Sequence, residues 1–224
     1  MDYRHEWKHQ LNYGDFLALR HRLRSALPHD SHVGRDGSYQ IRSLYFDTPG
    51  DRALREKLDG VNGREKFRIR LYNGDGAYIR LEKKSRRDGL GDKASACLTY
   101  GEARALAAGE TDWMRGHPEE LVRELYAKML CQRLTPRTIV DYRREPFVYP
   151  PGNVRVTLDW DLRTGLRCTD FLDMECVTVP AGEPVYLLEV KYDQFLPDFI
   201  RDLVQLESRQ TAAFSKYARC RIYG

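Results

Sequence analysis

Lys66-Phe67-Arg68-Ile69-Arg70-Leu71-Tyr72, Asn73-Gly74-Asp75-Gly76 and Ala77-Tyr78-Ile79-Arg80-Leu81-Glu82-Lys83-Lys84-Ser85-Arg86 run consecutively and decide the fold. Apolar and charged residues alternate at period two, a strand signal, and the Asn-Gly-Asp-Gly break between them is a turn signal. The stretch predicts a β-hairpin. Phe67, Ile69 and Leu71 share one face of its first strand, with Lys66, Arg68 and Arg70 on the other. On its second strand Ile79 and Leu81 oppose Arg80, Glu82, Lys84 and Arg86. A solvated outer face is the ordinary explanation of such charge. Like charges placed opposite each other are mildly destabilising, however. Six basic side chains on one hairpin face therefore call for an anion, provided other strands repeat the pattern.

The rest of the composition sets bounds. The chain has 224 residues, of which 42% are hydrophobic and 31% charged, as expected of a soluble globular protein. Net charge is only +4, so bulk electrostatics give little support for nucleic-acid binding and any basic site must come from local clustering. No apolar run approaches the roughly 20 residues of a membrane helix, and Met1–Glu6 has no signal-peptide core. Cys97, Cys131, Cys168, Cys176 and Cys220 show no C-x-x-C spacing, which argues for free thiols in a reducing compartment. The expectation is a cytoplasmic protein, or the cytoplasmic part of an assembly, forming a single domain over residues 1–224.

Outward from the hairpin, residues 3–11 alternate again, with Arg4, Glu6, Lys8 and Gln10 on one face. His5 and His9 are about 13 Å apart on a strand, too far to share an ion. Helical spacing runs from Asp15 to Pro28, an aromatic strand covers 39–47, and a short helix covers 51–59. Residues 87–93 read as a loop and 93–98 as a short strand. Thr99-Tyr100-Gly101-Glu102 is a capping-box pattern that opens a helix to about Ala108. A helix over 118–131 takes Pro118 in its first turn. Strands follow at 137–145, 154–160 and 185–192, then a helix after Pro197 and another at 210–218.

Five strands thus carry charge opposite their apolar stripe. A closed antiparallel barrel would place that face in its interior, and larger barrels hold polar ligand cavities. By parity the lumen would contain Arg4, Lys8, Lys66, Arg68, Arg70, Arg80, Lys84, Arg86, Arg155 and Lys191, with Glu6, Glu82, Asp159 and Glu189. So many enclosed cations need a counter-ion, and phosphate chains suit arginine and lysine chemistry. The acids could hold a divalent cation against the phosphates. A bland alternative stays open for Glu189, as an ion-pair partner of Lys191 or another nearby cation.

The motifs Arg4-His5-Glu6-Trp7-Lys8, Ser43-Leu44-Tyr45-Phe46-Asp47, Arg64–Arg70, Leu81-Glu82-Lys83-Lys84, Val154–Asp159, Leu188–Tyr192 and Ser215-Lys216-Tyr217 occur in an order that resembles the VTC domain, the polyphosphate polymerase domain within the triphosphate tunnel metalloenzymes. The resemblance covers essentially the whole chain and is to the compact bacterial members. It implies an α+β fold, a closed eight-stranded antiparallel tunnel with flanking helices, that binds ATP, triphosphate or polyphosphate with Mn2+ or Mg2+. By motif it assigns phosphate contacts to Lys8, Arg68, Arg70, Lys84, Arg86, Lys93, Arg144, Arg155 and Lys216, assistance to Tyr142 and Ser215, and the metal to Glu189. Arg80 and Lys191 join the phosphate set by parity, and Glu6, Glu82 and Asp159 are further candidate metal ligands. Arg68, Arg70, Lys84 and Glu189 are the expected catalytic residues.

Two departures qualify the match. Many relatives open with E-x-E-x-K on the first strand, where this chain has Arg4, Glu6 and Lys8. One metal ligand has become a cation, which favours phosphate-chain binding over triphosphatase chemistry. The position of a tunnel histidine in some polymerases is Arg86 here. The expected activity is ATP-dependent polyphosphate polymerisation. Its rivals are a metal-dependent tripolyphosphatase and a non-catalytic polyphosphate- or nucleotide-binding module. No nucleic-acid partner is expected, and a membrane-protein partner would not be visible in the sequence.

Overall fold

A computed structural model describes residues 5–88, 90–206 and 214–222, and Arg4 lies outside them. In chain order the elements are β1 (His5–Leu11), α1 (Tyr13–Ala26), β2 (Tyr39–Asp47), α2 (Arg52–Leu58), β3 (Arg64–Tyr72), β4 (Ile79–Arg87), β5 (Leu90–Leu98), α3 (Tyr100–Ala107) and α4 (Glu120–Gln132). They continue with β6 (Thr135–Tyr149), β7 (Val154–Thr164), β8 (Val179–Pro180), β9 (Tyr186–Tyr192), α5 (Asp198–Val204) and α6 (Lys216–Ile222). The class is α+β, as expected. The pairing order is β1-β9-β7-β6-β2-β3-β4-β5, with β8 added to β7. All registers described are antiparallel. That order ends at β1 and β5, so closure into a ring is not among the described pairings.

The chain divides into two units: one from segments 1–40, 142–162 and 183–214, the other from 41–141, 163–182 and 215–224. β2, β6 and β7 contribute residues to both. In the first unit the apolar stripe of α1 (Phe16, Leu19, Leu23) packs with Val154, Val156 and Leu158 of β7 and Leu188 and Val190 of β9. Val156 and Leu158 sit directly opposite Val190 and Leu188, so one apolar row crosses the two strands. The turn before β7 needs glycine: Gly152 has φ +75, and a Cβ there would lie 2.6 Å from the Phe195 carbonyl.

In the second unit the apolar face of the β3–β4 hairpin (Phe67, Ile69, Leu71, Ile79, Leu81) is covered by Ala103 and Leu106 of α3 and Leu121, Leu125 and Met129 of α4. Asn73 and Gly74 both take positive φ and reverse the chain where the sequence placed the turn. Thr99 and Glu102 form the expected capping box on α3. This arrangement leaves the opposite, charged face of the hairpin to other partners.

Several boundaries differ from expectation. β5 begins at Leu90, not 93, because its register with β4 runs back to Arg87↔Leu90. The glycines at 89–91 hid that ladder. α4 begins at Glu120, with Pro118 outside it, and the Pro118 carbonyl accepts from Arg123 instead (2.8 Å). β6 runs past the expected 145 and through Pro146 to Tyr149, and β8 was not foreseen. α6 starts at Lys216, and residues 210–213 of the expected helix lie outside the described residues. Among the described residues no helix is long and apolar enough to cross a membrane.

Candidate functional site

Backbone register alone makes the second unit's site. Across β3, β4 and β5, Lys66 faces Lys84, which faces Lys93, and Arg70 faces Arg80. Between those rows Arg68 faces Glu82. Rows of like charge at cross-strand distance oppose folding. The carboxylate of Glu82 is placed among them: Arg68 Nε donates to its Oε2 (2.7 Å), Lys93 Nζ reaches Oε1 (2.5 Å) and Arg70 Nη1 lies 3.6 Å from Oε2. Burial favours the protonated form of Glu82, but Arg68, Arg70 and Lys93 outweigh it and hold the carboxyl well below the usual carboxylate range. β2 supplies two hydroxyl-bearing partners. Arg70 Nε donates to Ser43 Oγ (3.0 Å) and Arg68 Nη1 to the Tyr45 hydroxyl (2.6 Å).

Around that pair the cations become more accessible. Arg80 is half-buried and donates to Ser95 Oγ (2.7 Å) and Cys97 Sγ (3.1 Å). Lys84, Arg86 and Lys93 are exposed. Ser215 and Lys216 lie at the start of α6, where Ser215 Oγ accepts from the Ala218 amide (3.3 Å). The same helix is anchored by Tyr217, whose hydroxyl donates to Asp47 (2.7 Å).

The first unit is built differently. Glu6 faces Lys191 and Lys8 faces Glu189 across β1 and β9. Each lysine also reaches the other acid, so the four charges close a ring: Lys8 to Glu6 3.3 Å and to Glu189 3.5 Å, Lys191 to Glu6 3.2 Å and to Glu189 3.6 Å. Arg144, on β6, grips Asp159 with two parallel hydrogen bonds (2.6 and 2.7 Å) and lies 3.4 Å from Glu189. Its charge is fixed, because burial would lower its pKa but Asp159, Tyr142 and Glu189 raise it well above the ordinary value. The guanidinium sits over the Tyr142 ring, 5.4 Å from the centroid. Arg155 pairs with Asp30 (2.9 Å) and donates to the Tyr39 hydroxyl (2.8 Å). Thr157 faces Glu189, and its buried hydroxyl has no hydrogen-bond partner among the described residues.

These contacts sort the candidate metal ligands. Among the described residues no group of three histidine, cysteine or acidic side chains could hold an ion unaided. Both oxygens of Asp159 are clamped by Arg144, and both of Glu82 are taken by Arg68 and Lys93. Glu189 and Glu6 lie 3.2–3.6 Å from Lys8, Lys191 and Arg144, longer than a tight charge-assisted bond. Glu189 has the neighbour anticipated for its bland alternative, Lys191, and two more cations besides.

Sequence reasoning passed over Ser43 and Tyr45, although they alternate with Leu44 and Phe46 and so present a polar face to β3. It also missed Thr157, and it missed Asp30, which lies in a segment read as a polar loop.

The VTC-domain profile matches residues 3–222, and the chain belongs to the VTC-domain family. No curated protein matches it. Among solved structures it is similar to BH2851 of Bacillus halodurans, a provisionally assigned adenylate cyclase. The identity is 16% and the TM-score 0.53, over 85% of this chain and 80% of that one. PH1012 of Pyrococcus horikoshii is similar at 13% identity and TM-score 0.50, over 99% of each chain. At these identities the likeness is one of fold.

Proposed function

We propose that this protein is a polyphosphate polymerase that transfers the γ-phosphoryl group of ATP to a growing polyphosphate chain. The observation that carries the reading is the opposition of Lys66, Lys84 and Lys93 across three strands, beside Arg68 and Arg70, with Glu82 shared by Arg68, Arg70 and Lys93. An arrangement that resists its own folding is explained by an anion of high charge density, and arginine forks match phosphate oxygens. Membership of the VTC-domain family supports the same ligand. The reading also expects the eight-stranded order to close into a barrel.

In this scheme Arg68 and Arg70 are pre-oriented by Glu82 and Ser43 and take the phosphates. Lys84, Arg86, Lys93, Arg80 and Lys216 neutralise the chain further, and Ser215 assists. In the first unit Lys8, Arg144, Arg155 and Lys191 do the same, with Tyr142 beneath Arg144. Glu189, with Glu6 beside it, would hold Mn2+ or Mg2+ in company with phosphate oxygens, which suits a hard cation that takes one or two carboxylates. The bound ion would neutralise charge on the transferring group. The attacking terminal phosphate is already anionic, so no side-chain base is needed and positioning and electrostatics suffice.

The test is to incubate the pure protein with ATP and Mn2+ and resolve the products by chain length. Chain growth is expected. Release of inorganic phosphate without growth would make it a tripolyphosphatase. Binding of polyphosphate without turnover would leave a binding module.

A further inference from the structure

Tyr45 is an aromatic hydroxyl on the cationic face of the second unit, bonded directly to one of its arginines. It faces Arg68 across β2 and β3 and is 3% exposed. Its hydroxyl accepts from Arg68 Nη1 at 2.6 Å. Lys66 Nζ and Arg68 Cζ lie 5.5 and 5.6 Å from its ring centroid. From α6, Tyr217 stacks on it (4.9 Å, 25°) and is itself held by Asp47. From β4, Glu82 accepts from the same Arg68 side chain.

The two stacked phenols are driven in opposite directions. Burial and the Asp47 carboxylate push the Tyr217 hydroxyl far up, so it stays protonated. Burial also disfavours a Tyr45 anion, but Arg68, Lys66 and Arg70 overcome it and hold its pKa down at about 7.

We propose that Tyr45 is a proton-binding member of the phosphate site: its phenolate is the resident counter-anion of Arg68 and Lys66 in the free protein, and it yields that place, taking a proton, when a phosphate chain binds. This rests on the phosphate reading above. No covalent bond to the ligand forms. One proton passes from solvent to the Tyr45 oxygen, the Arg68 N–H turns from phenolate to phosphate, and charge balances because an arriving anion replaces a resident one. The sign follows from linkage. The bound form has the higher Tyr45 pKa, so binding takes up a proton and affinity falls as pH rises through about 7.

The first measurement is a pH titration of the ligand-free protein in the near-ultraviolet tyrosinate band. Ordinary phenols titrate near about 10, so a step near neutrality stands apart from the other tyrosines. We expect that step in the wild type and its loss in Tyr45→Phe, which keeps the ring and its stacking. Tripolyphosphate should then bleach the step in the wild type. Calorimetry in two buffers of different ionisation enthalpy should show net proton uptake. The wild type should lose affinity by up to about tenfold per pH unit above the step, relative to Tyr45→Phe. Spectral bleaching in the wild type needs no variant, so a misfolded Tyr45→Phe leaves the test intact. Tripolyphosphate binding with no bleaching and no proton uptake would overturn this inference while the phosphate reading stood. No binding at all would overturn both.

Discussion

Each unit sets carboxylates among cations, and the arithmetic differs. In the second unit one acid, Glu82, serves Arg68, Arg70 and Lys93, while Lys66 and Lys84 stand opposite each other nearby. In the first unit Glu6, Glu189 and Asp159 meet Lys8, Lys191 and Arg144 one for one. Among these described contacts the first unit sets acids and cations in equal number, and the second sets three cations on one acid. On the proposed function, a cluster with equal numbers of acids and cations would admit a phosphate together with something positive, so Glu6 and Glu189 would be the place for a divalent cation. On the same reading the second cluster would take the anion directly.

The sharpest way to break the comparison is to remove Glu82. Glu82→Gln leaves buried Arg70 and the largely buried Arg68 without their acid and should cost about 3–5 kcal/mol in urea denaturation. Tripolyphosphate should restore most of the loss, since the ligand supplies what the mutation took. Glu189→Gln should cost less, about 1–3 kcal/mol, because its contacts are longer. It should instead abolish Mn2+-dependent turnover. Equal stability losses, or wild-type activity at limiting Mn2+ in Glu189→Gln, would erase the distinction.

Arg70→Lys tests the phosphate grip with charge conserved. It should lower tripolyphosphate affinity by about 1–3 kcal/mol, because lysine cannot reproduce the fork. Unchanged affinity by calorimetry would remove Arg70 from the contact set. Acid sharpens the contrast further. The carboxyl of Glu82 is depressed in the folded protein, so its stabilisation is complete above the unfolded value of about 4.3 and is lost as pH falls below it. The wild type should lose stability on acidification below pH ~4, and Glu82→Gln should lose less. The smallest effect belongs to a control outside both clusters. Thr99→Ala removes the α3 cap at about 1 kcal/mol and should leave tripolyphosphate affinity untouched.

What the sequence made legible was parity. Alternation in 66–72 and 79–86 told which side chains share a face, and the hairpin's apolar half is buried as that alternation required. What it could not tell is which charges meet. Arg144 and Asp159 are fifteen residues apart on neighbouring strands, and only their register reveals that the acid is clamped and so a poor candidate for a metal. Lys93 lay in a segment read as loop because nearby glycines masked the ladder that brings it to Glu82. Tyr45 was hidden by its own chemistry, since an aromatic in a strand reads as core. Arg42 shows the reverse case: a charge among apolar neighbours on β2, fully buried against Asp141.

The bond from Tyr217 to Asp47 joins residues 170 positions apart, and Arg221 to Asp51 spans the same distance. Both tie α6 to the start of the second unit, so that unit's hydrogen bonding is complete only when its last segment has docked. Contacts of such separation form slowly, because a long loop must close before they reward the chain. During synthesis the β3–β4 hairpin can pair and bury its apolar face long before α6 emerges. Ser215, Lys216 and the ring that stacks on Tyr45 therefore arrive after the hairpin, and a growing chain pairs β3 with β4 before α6 can dock beside them.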